Sequence, residues 1–78
     1  MNLSAILVTA LPDKLPGLNN QISLLPWAET HFHDEEGRLI VTVESMSIQE
    51  DQNYLRELQA LPGTLSAEVV EFWPNIEN

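Results

Sequence analysis

The chain has 78 residues, no cysteine, and twelve acidic against three basic side chains (Lys14, Arg38 and Arg56), a formal net charge of −9. That size supports one domain held by packing alone, since neither a disulfide nor a thiolate metal site can be built, and the lack of cysteine fits a cytoplasmic protein. Acidity of this degree repels nucleic acid and anionic membrane, and it draws in cationic peptides or proteins.

The first predicted strand runs from about Leu3 to Ala10. Met1 to Leu11 carry no basic leader and the apolar run stops at Pro12, so neither an export signal nor a membrane span is expected there. Asp13 offers a helix cap with Pro16 tolerated in the first turn. Leu15, Leu18, Ile22 and Leu25 then follow at three- and four-residue steps, the apolar stripe of a helix that Pro26 ends. Ala28 to His33 alternate as a second strand, with Ala28, Thr30 and Phe32 on one side and Glu29, His31 and His33 on the other. Asp34-Glu35-Glu36-Gly37 reads as a hairpin turn in which Gly37 is free to take positive φ.

Arg38 to Glu44 is a β-branched, alternating third strand. Ser47 and Glu50 have the spacing of a capping box, and Ile48, Tyr54, Leu55 and Leu58 form the buried stripe of a second helix that Leu61-Pro62-Gly63 ends. Glu50 and Asp51 read as the exposed start of that helix. The last strand spans about Leu65 to Trp73, and Pro74 to Asn78 make a short polar tail.

Strand, helix and strand thus occur twice. Ile6-Leu7-Val8-Thr9 opens a run closed by Leu24-Leu25-Pro26, and Leu39-Ile40-Val41-Thr42 opens one closed by Ala60-Leu61-Pro62. This is the plan of an α+β, ferredoxin-like βαββαβ sandwich: a single domain over residues 1–78 with its ordered core at about 3–73. The four strands should form an antiparallel sheet of order 4-1-3-2 with both helices on one face. Ile6, Val8 and Ala10, matched by Leu39, Val41 and Val43, should meet the helices, joined by Ala28, Thr30, Phe32, Leu65, Ala67 and Val69.

The opposite face is the candidate site. Its outward set is Leu7, Thr9, Ile40, Thr42, Val70 and Phe72, with Glu29, Glu44 and Glu68 among or beside them. An apolar floor with acidic margins suits an amphipathic segment that carries positive charge beside an apolar stretch. The same residues also suit a homodimer seam or ordinary strand propensity. His31 and His33, with Glu29, would share a face and resemble a metal triad, but no fourth ligand has motif spacing and no metal is expected. No phosphate loop, paired nucleophile and base, or cofactor fingerprint is present, so neither an enzyme nor a cofactor is expected.

Gly37-Arg38-Leu39-Ile40-Val41-Thr42-Val43-Glu44, with Leu25-Pro26 upstream and Ala60-Leu61-Pro62-Gly63 downstream, resembles the NapD family over Leu3 to about Trp73. One departure is Trp27, where the family usually carries Gly. The resemblance implies a cytoplasmic chaperone for assembly of the periplasmic nitrate reductase. Such a chaperone binds the twin-arginine signal peptide of the molybdenum-containing catalytic subunit and holds back export until cofactors are loaded. Two other readings stay open: an ACT-like small-molecule domain with ligands at a dimer seam, and a structural subunit packing its open face on a partner.

Overall fold

The computed structural model describes residues 1–76. Strand β1 (Asn2–Ala10) leads to helix α1 (Leu15–Ser23), then to the hairpin of β2 (Ala28–His33) and β3 (Arg38–Ser45). Helix α2 (Ile48–Ala60) and strand β4 (Thr64–Trp73) complete the chain. The sheet is antiparallel throughout, in the order β2-β3-β1-β4, so β1 and β3 are central. This is the expected ferredoxin-like sandwich.

Alternation in the central strands decides which face is covered. Ile6, Val8, Ala10, Leu39, Val41 and Val43 are fully buried and form one core with Leu15, Leu18 and Ile22 of α1 and Leu58 of α2. Each large side chain so buried contributes about 1.5–3 kcal/mol, most of it offset by chain ordering. The alternate residues Leu7, Thr9, Ile40 and Thr42 point to the other face and stay half-buried, with no helix over them.

The first helix starts differently from expectation, and the second starts at the expected cap. At α1 the capping position is taken by Lys14, with no side-chain cap, rather than by Asp13; Pro16 sits in the first turn, where its missing N–H costs nothing. At α2 the Ser47 hydroxyl accepts from the Glu50 N–H at 3.0 Å, and the Glu50 carboxylate accepts from the Met46 N–H at 2.9 Å. The expected reciprocal cap therefore forms, displaced by one residue on the return bond.

The second helix also corrects the sequence reading of its buried stripe. Ile48 is 54% exposed, while Asp51 is buried at 8%. The Asp51 carboxylate accepts from the Ser4 hydroxyl of β1 at 2.7 Å and from the Ser45 hydroxyl of β3 at 3.3 Å. Ser4 and Ser45 occupy helix-facing positions at the far end of the central strands. A buried carboxylate needs such donors, and they exist here because both strands place serine where the helix crosses.

Edge strands β2 and β4 break their alternation. Between Thr30 (opposite Val41) and His33 (opposite Leu39), β2 holds one residue more than β3. His31 and Phe32 therefore face Ile40 together, and His33 turns to the helix side. Phe32 is 63% exposed on the open face instead of lying under the helices. The two histidines point to opposite faces, so the metal triad weighed for Glu29, His31 and His33 is not assembled.

Strand β4 carries two such irregularities. Leu65 is the extra residue between Ser66 (opposite Thr9) and Thr64 (opposite Ala10), and it is 63% exposed rather than buried. Val70 is the extra residue between Val69 (opposite Ile6) and Glu71 (opposite Ala5). Beyond it Phe72 lies opposite Ser4, on the helix side, and Trp73 lies opposite Leu3, on the open side. Ala67 is buried as expected, and Val69 faces the helices but remains partly exposed at the sheet edge.

Turn chemistry fixes the β2–β3 hairpin. Gly37 has φ of +91°, and any Cβ there would collide with the Ala10 carbonyl, while its own carbonyl accepts from the Ala10 N–H at 2.8 Å. At the other end of β1, the Asn75 N–H donates to Asn2 Oδ1 at 3.2 Å and the Ile76 N–H to the Met1 carbonyl at 2.6 Å. Of the expected polar tail, residues 77–78 lie outside the described residues.

Candidate functional site

The face left bare by the helices can be laid out in rows from the strand register, since directly opposed residues share a face. One row holds Arg38, Thr9 and Ser66; the next holds Ile40, Leu7 and Glu68, with Phe32 beside Ile40. A third holds Glu29, Thr42, Ala5 and Glu71, and the last holds Glu44, Leu3 and Trp73. An apolar band of Phe32, Ile40, Leu7, Ala5, Leu3 and Trp73 therefore crosses the sheet diagonally. Glu29 and Glu44 border it on the β2–β3 side, and Glu68 and Glu71 on the β4 side.

Leu7, Phe32 and Ile40, with Asp34 and Arg38 at one end, enclose a shallow, mainly apolar depression of about 240 Å³. Phe32 enters it only because of the β2 irregularity. His31 is fixed on the same face by a 2.7 Å hydrogen bond between its Nε2 and the Thr42 hydroxyl.

Positive charge on this face is already neutralised. Arg38 contacts Asp34 at 2.6 Å and Glu36 at 3.1 Å. Asp34 also accepts from the backbone N–H groups of Glu36 and Arg38, each at 3.0 Å. Those backbone donors, led by Arg38, hold the Asp34 carboxyl below its ordinary range, and the Asp34 hydrogen bond holds the Arg38 guanidinium above its own. Lys14 and Arg56, in the β1–α1 turn and on α2, lie off this face. What the face presents to a partner is apolar surface edged by carboxylates.

Of the residues singled out from the sequence, the structure brings Leu7, Thr9, Glu29, Ile40, Thr42, Glu44 and Glu68 together on the open face. Val70 stands beside them at the strand irregularity, exposed and unpaired in the ladder. Phe72 is removed from the set. Sequence reasoning missed Leu3, Phe32, Glu71 and Trp73, three of which reach this face only through a register shift.

At the corner where β2 begins, Trp27 stacks on Tyr54 of α2 with ring centroids 4.1 Å apart and planes within 5°. Burial, followed by the nearby Glu50, raises the Tyr54 phenol above its ordinary pKa. The Trp27 carbonyl accepts from the Glu44 N–H at 3.1 Å, so the indole is anchored beside the acidic margin.

The profile of the NapD protein family matches residues 1–71. The chain belongs to the NapD family. It is also similar to the solution structure of the Tat proofreading chaperone NapD from E. coli, with a TM-score of 0.83 and 21% sequence identity. That similarity covers 88% of this chain and 74% of the E. coli one, and at such identity it speaks to the fold. Comparison with curated proteins returns no match. Among the described residues, no helix is long and apolar enough to cross a membrane, and no group of three His, Asp or Glu side chains could hold a metal ion.

Proposed function

We propose that this NapD-family protein is a proofreading chaperone that binds the twin-arginine signal peptide of a nitrate reductase catalytic subunit. In this reading it works in the cytoplasm, before export, on a client that must receive its molybdenum cofactor first. The function is one of binding, with no reaction assigned to the chain. Family membership supports it, and so does the similarity to the E. coli Tat proofreading chaperone.

The observation that carries the proposal is the composition of the bare sheet face. A twin-arginine signal peptide combines paired cations with an apolar stretch. The diagonal band from Phe32 through Ile40 and Leu7 to Trp73 offers the apolar stretch a floor. Glu29, Glu44, Glu68 and Glu71 offer the cations counter-charges on both sides, while Arg38 is already paired. Long-range attraction from a net charge of −9 speeds the encounter, and apolar burial holds the complex. Retention then follows by mass action, because a bound signal peptide is withdrawn from the export machinery.

Titrating isotope-labelled protein with a synthetic twin-arginine signal peptide tests this directly. The expected result is saturable shifts of Leu7, Phe32, Ile40 and Thr42. Shifts confined to α1 and α2, or no binding at micromolar concentration, overturn it.

A further inference from the structure

Two depressions lie at the corner of the acidic margin, on either side of a common wall. The first, of about 230 Å³, is lined by Pro26, Trp27, Ala28, Glu29, Thr42 and Glu44. The second, of about 220 Å³, shares Pro26, Trp27 and Glu44 and adds Met1, Met46 and Glu50 among others. Each therefore has its own carboxylate, Glu29 or Glu50, and both share Glu44 and an indole. The Glu29 and Glu44 carboxylates form no ion pair among the described residues, where both ion pairs belong to Arg38.

We propose that these paired depressions are the subsite for two consecutive arginine side chains of the bound peptide, a reading that rests on the signal-peptide function proposed above. The chemistry of the walls selects the occupant. A guanidinium is flat, weakly hydrated and able to donate in parallel to a carboxylate, and its faces pack on aromatic rings; an ammonium has none of these properties. Trp27 supplies the ring, fixed in place by its stack on Tyr54 and by the Trp27–Glu44 backbone bond. Glu29 and Glu44 supply acceptors on the exposed side, diagonal neighbours across the β2–β3 ladder.

The doubling of the site also matters. Adjacent residues of a peptide point in different directions whether it is extended or helical. Two neighbouring side chains therefore cannot share one pocket, but they can straddle a wall such as Glu44. From this corner the apolar band begins at once with Leu3 and Ala5 and runs to Leu7 and Ile40. A peptide with its arginine pair seated here would thus place its following apolar stretch on the band.

The test measures dissociation constants by calorimetry for three peptides, with the arginine pair kept, changed to two lysines, or changed to two glutamines. Each is titrated into the wild-type chain, the Glu29→Gln/Glu44→Gln variant and, as a control on the far margin, the Glu68→Gln/Glu71→Gln variant. Thermal melts verify that the exposed substitutions leave the fold intact. The expected result is a loss of roughly tenfold to a hundredfold for the arginine peptide on Glu29→Gln/Glu44→Gln, as removal of charge-assisted hydrogen bonds implies. Preference for arginine over lysine should vanish in the same variant and in Trp27→Gly. Unchanged affinity and unchanged preference there, or a larger loss in the far-margin variant, overturns the subsite while the chaperone function stands. Failure of the wild-type chain to bind any of the peptides overturns both.

Discussion

Strands β1 and β3 pair residue for residue from Asn2 opposite Ser45 to Thr9 opposite Arg38, while β2 and β4 each carry extra residues against their neighbours. The central pair is clamped between a core on one side and two partner strands, so a slip would turn every core side chain outward. An edge strand has one partner and a freer register, so an inserted residue is tolerated and the local ladder bends. The difference shows in what each strand contributes to the open face. The centre provides a regular apolar floor, and the irregular edges decide which large side chains join it, bringing in Phe32 and Trp73 and turning away Phe72.

The strongest way to test that contrast is to truncate both regions alike. Leu39→Ala in the central ladder should cost about 2–5 kcal/mol, whereas Leu65→Ala at the β4 irregularity should stay within roughly 0.5 kcal/mol. Denaturant unfolding of the two variants side by side measures it; equal costs would mean that the edge is as firmly specified as the centre.

The hairpin joining edge to centre comes next. Gly37→Ala places a Cβ against the Ala10 carbonyl at positive φ, and about 1–3 kcal/mol of destabilisation is expected. Asp51→Ala, which leaves the buried hydroxyls of Ser4 and Ser45 without their acceptor, should cost a similar 1–3 kcal/mol. Replacing the two serines by alanine in that background should recover part of the loss, and a thermal-melt cycle of the variants would show it.

On the open face the readout changes from stability to binding. Ile40→Glu should weaken twin-arginine peptide binding by about tenfold or more, with a stability change below roughly 1 kcal/mol. Trp73→Ala should weaken binding where Phe72→Ala does not, because the irregularity at Val70 sends the two side chains to opposite faces. Equal effects would remove the edge strand from the site.

The smallest expected effect lies in the hairpin turn. The folded Asp34 carboxyl titrates below its unfolded value, so its contribution is complete above pH about 4 and fades as pH falls through the folded value. Melting temperature should therefore decline in acid, and Asp34→Asn should flatten that decline.

Much of this was legible in the residues. The repeated Ile6–Thr9 and Leu39–Thr42 runs identify the central strands and their facing, because alternation is reliable where pairing is unbroken on both sides. Ser47 and Glu50 mark the second helix for a local reason, capping being settled within one turn. Asp51 was not legible: it looks like a solvated helix start until Ser4 and Ser45, distant in the chain, are seen beneath it. His31 and His33 keep the spacing of a shared face, and only an extra residue in the ladder separates them.

The amino-acid order by itself determined the fold, the core of the two central strands and the apolar, acid-edged character of the bare face. These follow from local periodicity and charge. Tertiary structure alone decided which edge-strand residues complete that face and where Trp27, Glu29 and Glu44 meet. An inserted residue in a ladder is set by how the partner strand and the helices pack, and no local pattern in the edge strand encodes it.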